Sequence, residues 1–207
     1  HEIKDHSLQM LDRQVHETLE RLHDHLDIYQ IHSATEDSGV LHDAAVLLRL
    51  GELRSQGLLI GLTTSGPDQA STIRHAMEVE IDGEPLFGTV QATWNVLEPS
   101  AGPALAEAHD AGLGVIIKEA LANGRLTHAD SSAAMAIQHL AHDAPRDAVA
   151  LRAVLDQPWA DVVLSGAATE DQLRDNLFAF HVDSVELDHL AEEPDEYWTR
   201  RAMLEWK

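Results

Sequence analysis

Five short apolar runs, at 26–32, 58–62, 88–95, 113–118 and 160–167, are separated by stretches long enough to hold a helix each. This alternation constrains the fold most, because parallel strands cannot be joined by a tight turn and need crossovers of a dozen or more residues, usually helical. Residues 7–23 show the crossover pattern well: Leu8, Leu11, Val15, Leu19 and Leu22 recur at spacings of three and four behind Ser7 as an N-cap. Further helical patterns occupy 39–55, ended by Gly57, a stretch opening near Pro67 after the turn TTSGP, then 99–112, 129–156 and 169–180. The tail EEPDEYWTRRAMLEWK carries aromatics expected to pack on the body. The pattern predicts an α/β fold with a parallel sheet. With 207 residues, 44% of them hydrophobic, the core suffices for a single domain over 1–207.

Charge and composition narrow the partners. Thirty-six acidic residues against 14 basic ones leave a formal charge of -22, and the only lysines are Lys4, Lys118 and Lys207. Such a surface repels phosphates and anionic headgroups, so neither nucleic acid nor membrane is an expected partner. The acidity fits plain solubility and equally fits adaptation to high salt, and charge alone does not choose between them. No run of about 18 apolar residues exists and the first residues lack the apolar core of a signal peptide, so a soluble, cytoplasmic chain is expected. With no cysteine there is no thiolate nucleophile or thiolate metal site, and redox chemistry requires a borrowed cofactor. The fourteen histidines lie mostly among Asp and Glu on helical faces, as in RLHDHLD and QHLAHDAP; no compact ligand spacing shows, and no metal is expected.

Two closures of the sheet compete, an open doubly wound sheet and part of a (β/α)8 TIM barrel. No G-x-G-x-x-G turn follows any strand, which disfavours a nucleotide-binding doubly wound sheet. Polar residues do gather where strands end: His32, Thr63, Thr64, Gln91, Asn95, Lys118, Glu119 and Ser165. In a barrel those ends converge on one mouth. The first of them closes the run DIYQIHS, an alternation that stops on an imidazole. A neutral imidazole can donate a hydrogen bond to a carbonyl oxygen as charge develops there, or it can simply cap the strand through its backbone.

Four segments, in order and properly spaced, resemble the aldo-keto reductase family: SLQMLDRQVHETLERLHDHLDIYQIHS its helix and DxYQxH strand, QGLLIGLTTSG the next strand and loop, TVQATWNVLEPS its VQxxYNxLE strand, and VLSGAATEDQLRDNL its final cofactor-binding turn and helix. The resemblance implies an NAD(P)H-dependent oxidoreductase that reduces an aldehyde or ketone by hydride transfer, with NADP or NAD as cofactor and a small carbonyl compound as substrate. It implies that His32 orients and polarises the substrate carbonyl, and that Gln91 bonds the nicotinamide carboxamide, an amide meeting an amide. Thr63 and Thr64 stand where the family often carries Ser-Asn. Lys118 stands where many members stack an aromatic ring, leaving it to reach a phosphate or to pair with Glu119.

By the same resemblance, Ser165, Gly166 and Ala167 form the turn whose amides hold the phosphate end at a helix start, and Gln172 and Asn176 contact the adenosine portion one helical turn apart. Many NADP-preferring members place an arginine where Gln172 stands, so the case for NADP over NAD is weakened. The resemblance begins at the helix after the family's third strand. It implies strands 4 to 8 of the barrel, with the catalytic Asp, Tyr and Lys belonging to the part before. Lys4, Tyr29 and Tyr197 do not fit those roles. The alternative is a catalytically inactive homologue that binds nucleotide or a protein partner, with self-association through open barrel edges as one route to closure.

Overall fold

The computed structural model describes residues 4–128, 131–141 and 144–204. In chain order its strands are β1 (Ile28–Ala34), β2 (Leu59–Thr64), β3 (Glu80–Ile81), β4 (Glu84–Pro85), β5 (Thr89–Thr93), β6 (Gly114–Lys118) and β7 (Val162–Val163). The short β3 and β4 pair with each other, and the other five form one parallel sheet in the order β1-β2-β5-β6-β7. The helices are α1 (Leu8–Leu22), α2 (Ala44–Ser55), α3 (Gln69–Glu78), α4 (Gly102–Asp110), α5 (Ser132–Ala141), α6 (Arg146–Leu155), α7 (Glu170–Leu177) and α8 (Pro194–Ala202).

The spatial order of the sheet is its chain order. A doubly wound sheet needs a reversal of strand order at a switch point, and none occurs here. With right-handed crossovers throughout, a singly wound sheet carries its crossover helices on one face. That face buries Ile31, Ile60, Leu62, Val90, Ala92, Val115 and Ile117 against Leu50 and Leu53 of α2, Ile73 of α3, Leu105 of α4 and Val154 of α6. Each buried Ile, Leu or Val side chain contributes on the order of 2 kcal/mol by leaving water. A second cluster joins Val96, Leu97, Leu126, Ile137, Val149 and Tyr197, fastening the tail to α5 and α6.

Several boundaries differ from the sequence expectation for identifiable reasons. The helix expected over 39–55 starts only at Ala44, where Asp43 Oδ1 accepts from the amides of Ala45 at 3.0 Å and Val46 at 3.2 Å. Residues Glu36–Ser38 and Val40–His42 are instead separate 3-10 turns, whose buried Val40 and Leu41 mimic helical periodicity. The pattern over 129–156 divides into α5 and α6, with 129, 130, 142 and 143 outside the described residues. The strand expected over 160–167 shrinks to β7, because its ladder with β6 stops after Ile117–Val163 and the chain turns away. The hairpin β3–β4 was missed although its signal is present: Asp82 and Gly83, at φ 57° and 77°, make the Asp-Gly turn that suits a two-residue hairpin.

Candidate functional site

The face of the sheet opposite the helices carries the polar strand-end residues. Register places Thr63, Gln91, Ile116 and Val162 in one row across four strands. Lower in the sheet, Gln30 Nε2 donates to Thr89 Oγ1 at 3.5 Å across Gly61, where a Cβ would collide with that hydroxyl. Gln91 is half-buried in the middle of this face, with Thr63 and Ile116 as its neighbours.

β1 does not end at His32. It runs on to Ala34 through a break in register between Ile31 and Ala34, with Ser33 held at φ 53°. Thr63 Oγ1 accepts from the Ser33 amide at 2.8 Å, so this hydroxyl is committed to bracing the bulge. A bulge re-aims a neighbouring side chain, and here it leaves the His32 ring exposed, its Nε2 3.4 Å from Ser33 Oγ. His6 Nε2 meets the His32 carbonyl at 2.8 Å, and both residues line a cleft of about 200 Å³ with Tyr29, Gln30 and Lys4. Thr64 is fully buried at the end of β2, and its Oγ1 finds no partner among the described residues.

At the other side of the sheet, Lys118, Ser165, Gly166, Ala167, Gln172 and Asn176 line a single cavity of about 480 Å³ with Glu119, His128 and Asp147. The turn from β7 into α7 is built for close approach: Gly166 sits at φ 66° with open space where a Cβ would be, and Thr169 caps α7 by accepting from the Gln172 amide at 3.2 Å. Gln172 Oε1 accepts from the Ala168 amide at 2.8 Å and Asn176 Nδ2 donates to the Ser165 carbonyl at 3.1 Å, so both side chains brace the turn. Asn176 is buried, and its Oδ1 has no partner among the described residues. Burial lowers the Lys118 pKa and raises that of Asp147.

The structure therefore gathers six of the expected residues at β6–β7 and holds His32 on β1, three strands from β6 and four from β7 in the sheet order. Glu119, the alternative partner for Lys118, is engaged by Arg201, with Nη2 at 2.7 Å. That contact belongs to a network the sequence reading missed. Asn95 Nδ2 donates to the Glu119 carbonyl and to the Tyr197 hydroxyl, each at 3.0 Å, and Asn95 Oδ1 accepts from the amides of Leu97 and Glu98. Burial raises the Tyr197 pKa far above the ordinary phenol range. The tail aromatic thus packs as expected, and α8 pins the loop after β6, where Glu119, Ala122 and Asn123 all have positive φ. Strain of this kind concentrates near functional sites.

The family model described as "Aldo/keto reductase family" matches residues 1–192. The chain belongs to the aldo/keto reductase family. It is therefore a member of a family of oxidoreductases, and α8 lies beyond the matched stretch. An aldo-keto reductase from Bacillus halodurans superposes in its holo form with a TM-score of 0.67 at 17% identity, over 96% of this chain and 68% of that one. Its apo form gives 0.66 at 16% identity, over 92% and 67%. A Pseudomonas aeruginosa chain classed with the aldo-keto reductases gives 0.61 at 21% identity, over 84% of this chain and 58% of that one. No curated protein matches the sequence. No helix among the described residues is long and apolar enough to cross a membrane.

Proposed function

We propose that this aldo/keto reductase family member binds a nicotinamide dinucleotide in the β6–β7 cavity and serves reduction of a small aldehyde or ketone. The observation that carries the reading is Asn176, whose buried, unpartnered Oδ1 is unsatisfied beside a glycine turn at the start of α7. An orphaned buried acceptor is costly, and a donor on a bound ligand removes the cost. The amides of Ser165, Gly166 and Ala167 at the start of α7 suit an anionic phosphate, and the half-buried Lys118 adds a cation to the same cavity. When bound, the nicotinamide supplies or accepts the hydride. Gln91 offers both a donor and an acceptor to a carboxamide, and Thr64 Oγ1 has a hydroxyl to spare. His32, exposed beside the Ser33 bulge, can donate to a carbonyl oxygen. Gln172, which stands where many NADP-preferring members carry an arginine, is committed to the turn, and this weakens the case for NADP over NAD.

The sheet itself supports strands 4 to 8 of a (β/α)8 barrel. Its face opposite the helices exposes Ile28, Leu59, Val162 and Leu164 by 40, 43, 48 and 44%, and β1 and β7 are its two edges. Three more βα units would cover that face, pair both edges and bring the acid that protonates the carbonyl oxygen. We propose a soluble, cytoplasmic setting with no nucleic acid or membrane partner.

Fluorescence titration of the full chain with NADH and NADPH tests the reading, using Gly166→Val to fill the turn. Saturable binding that Gly166→Val abolishes is the expected result, with NADH at least as tight as NADPH. A folded protein by circular dichroism that binds neither would overturn it. Binding without consumption of NADH on a panel of aldehydes would assign the chain to the non-catalytic reading.

A further inference from the structure

Away from the cavity, three residues distant in sequence converge on the helix layer beside β1 and β2. Glu36 opens the 3-10 turn after β1, His42 ends the next 3-10 turn, and His75 lies in the last turn of α3. His75 Nδ1 stands 3.3 Å from Glu36 Oε2, and one donor atom from each of the three side chains lies within 4.8 Å of the others. The two imidazole rings have centroids 4.4 Å apart and are tilted by 48°. In a tetrahedral site with metal–ligand bonds of about 2.0–2.1 Å, adjacent donors are about 3.3 Å apart. Glu36 and His75 already have that separation, and the exposed His42 has a donor atom within 4.8 Å of both.

The geometry points to a binding site for one divalent transition cation of the zinc class, held by Glu36, His42 and His75. Two nitrogens and one carboxylate oxygen, with the remaining position open to water, form a borderline-soft donor set that favours zinc or copper over magnesium or calcium. A hydrogen bond between Glu36 and His75 explains one histidine. The second ring, 4.4 Å from the first, brings a third donor atom to the same point. A cation bound by all three donors would sit in a chain whose formal charge is -22.

The backbone supporting the ligands is fixed by other groups. Thr35 and Ser38 cap the first turn reciprocally, with the Ser38 amide 3.2 Å from Thr35 Oγ1 and the Thr35 amide 3.3 Å from Ser38 Oγ. Asp43, next to His42, is engaged at the start of α2. Ligands borne on independently braced elements keep their spacing when no ion is bound. A cation held there would tie the β1–α2 connection to α3.

Chelator-stripped full-length chain titrated with zinc ions alone, by calorimetry, provides the test, with cobalt ions as a spectroscopic probe. One equivalent should bind with a dissociation constant on the order of 1 μM or below, and cobalt should give the intense visible bands of a low-coordinate site. Zinc at about a hundredfold excess over that constant should raise Tm by about 5 °C. His42→Gln, His75→Gln and Glu36→Gln should each weaken zinc by about tenfold or more. His23→Gln/His25→Gln, which removes another closely spaced histidine pair, should leave it unchanged. Absence of binding, equal binding of magnesium, affinity indifferent to His42→Gln, or a loss on changing His23 and His25 instead would each overturn the site.

Discussion

The two faces of the parallel sheet are made by the same strands and have opposite surroundings. Toward the helices, Ile60, Leu62, Val90, Val115 and Ile117 are completely buried. Toward the other side, Ile28, Leu59, Val162 and Leu164 keep close to half of their surface in water, although they are as apolar. Part of that face is nonetheless buried, at Thr63, Thr89 and Thr93, and near the ends of β5 and β6, α8 bonds Asn95 and Glu119 through Tyr197 and Arg201. Burial of one face by this chain's own helices makes the fold stable. The other face keeps several apolar side chains in water, and Thr63 and Gln91 lie along it.

Truncation provides the strongest way to break this comparison. Leu50→Ala or Ile117→Ala should cost about 2–5 kcal/mol in urea unfolding, since each empties a fully buried site. Leu59→Ala and Val162→Ala should cost less than about 1 kcal/mol in the same chain. Equal costs on both faces would mean that the open face is packed after all. Next, Arg201→Ala leaves the Glu119 carboxylate without its guanidinium in a half-buried setting; we expect a loss of about 1–2 kcal/mol and weaker dinucleotide binding, measured by unfolding and by titration. Tyr197→Phe removes one hydrogen bond to Asn95 and should cost about 1 kcal/mol. If it costs nothing, the tail is not what fastens the mouth.

The smallest effect sharpens the electrostatics of the cavity. Lys118 has its pKa lowered by burial below the ordinary 10.5. Between the lowered value and 10.5 the unfolded chain binds more protons than the folded one, so folding stability from this group rises with pH across that window. Dinucleotide affinity should run the other way, declining as Lys118 loses its charge with rising pH, starting below the usual lysine range. Lys118→Met should flatten both profiles, read by thermal unfolding and by NADH titration at a series of pH values.

How much of the site was legible differed with its chemistry. Gly166, Gln172 and Asn176 form a local unit, turn then helix, so their spacing already grouped them, and the structure adds that the two amides brace the turn. Lys118 joins them through the pairing of β6 with β7, which the sheet order shows. His32 was placed at a strand end by its alternation. A bulge carries no apolar periodicity, so the continuation to Ala34 and the use of Thr63 to support Ser33 were not visible. The network of Asn95, Glu119, Tyr197 and Arg201 spans more than a hundred residues and has no local pattern at all.

The sequence by itself determined the alternation of strands and helices, the apolar face of each element, and the family, because these depend on periodicity and on short ordered motifs. Tertiary structure alone decided which strands neighbour which, with the chain-order sheet ruling out a doubly wound arrangement. It also decided which polar groups lack partners, as with Asn176 and Thr64, and brought Glu36, His42 and His75 within ligand distance. Such properties depend on contacts between residues far apart in the chain. The cost of closing the loops between them is met by burying the core, so no local sequence window records them.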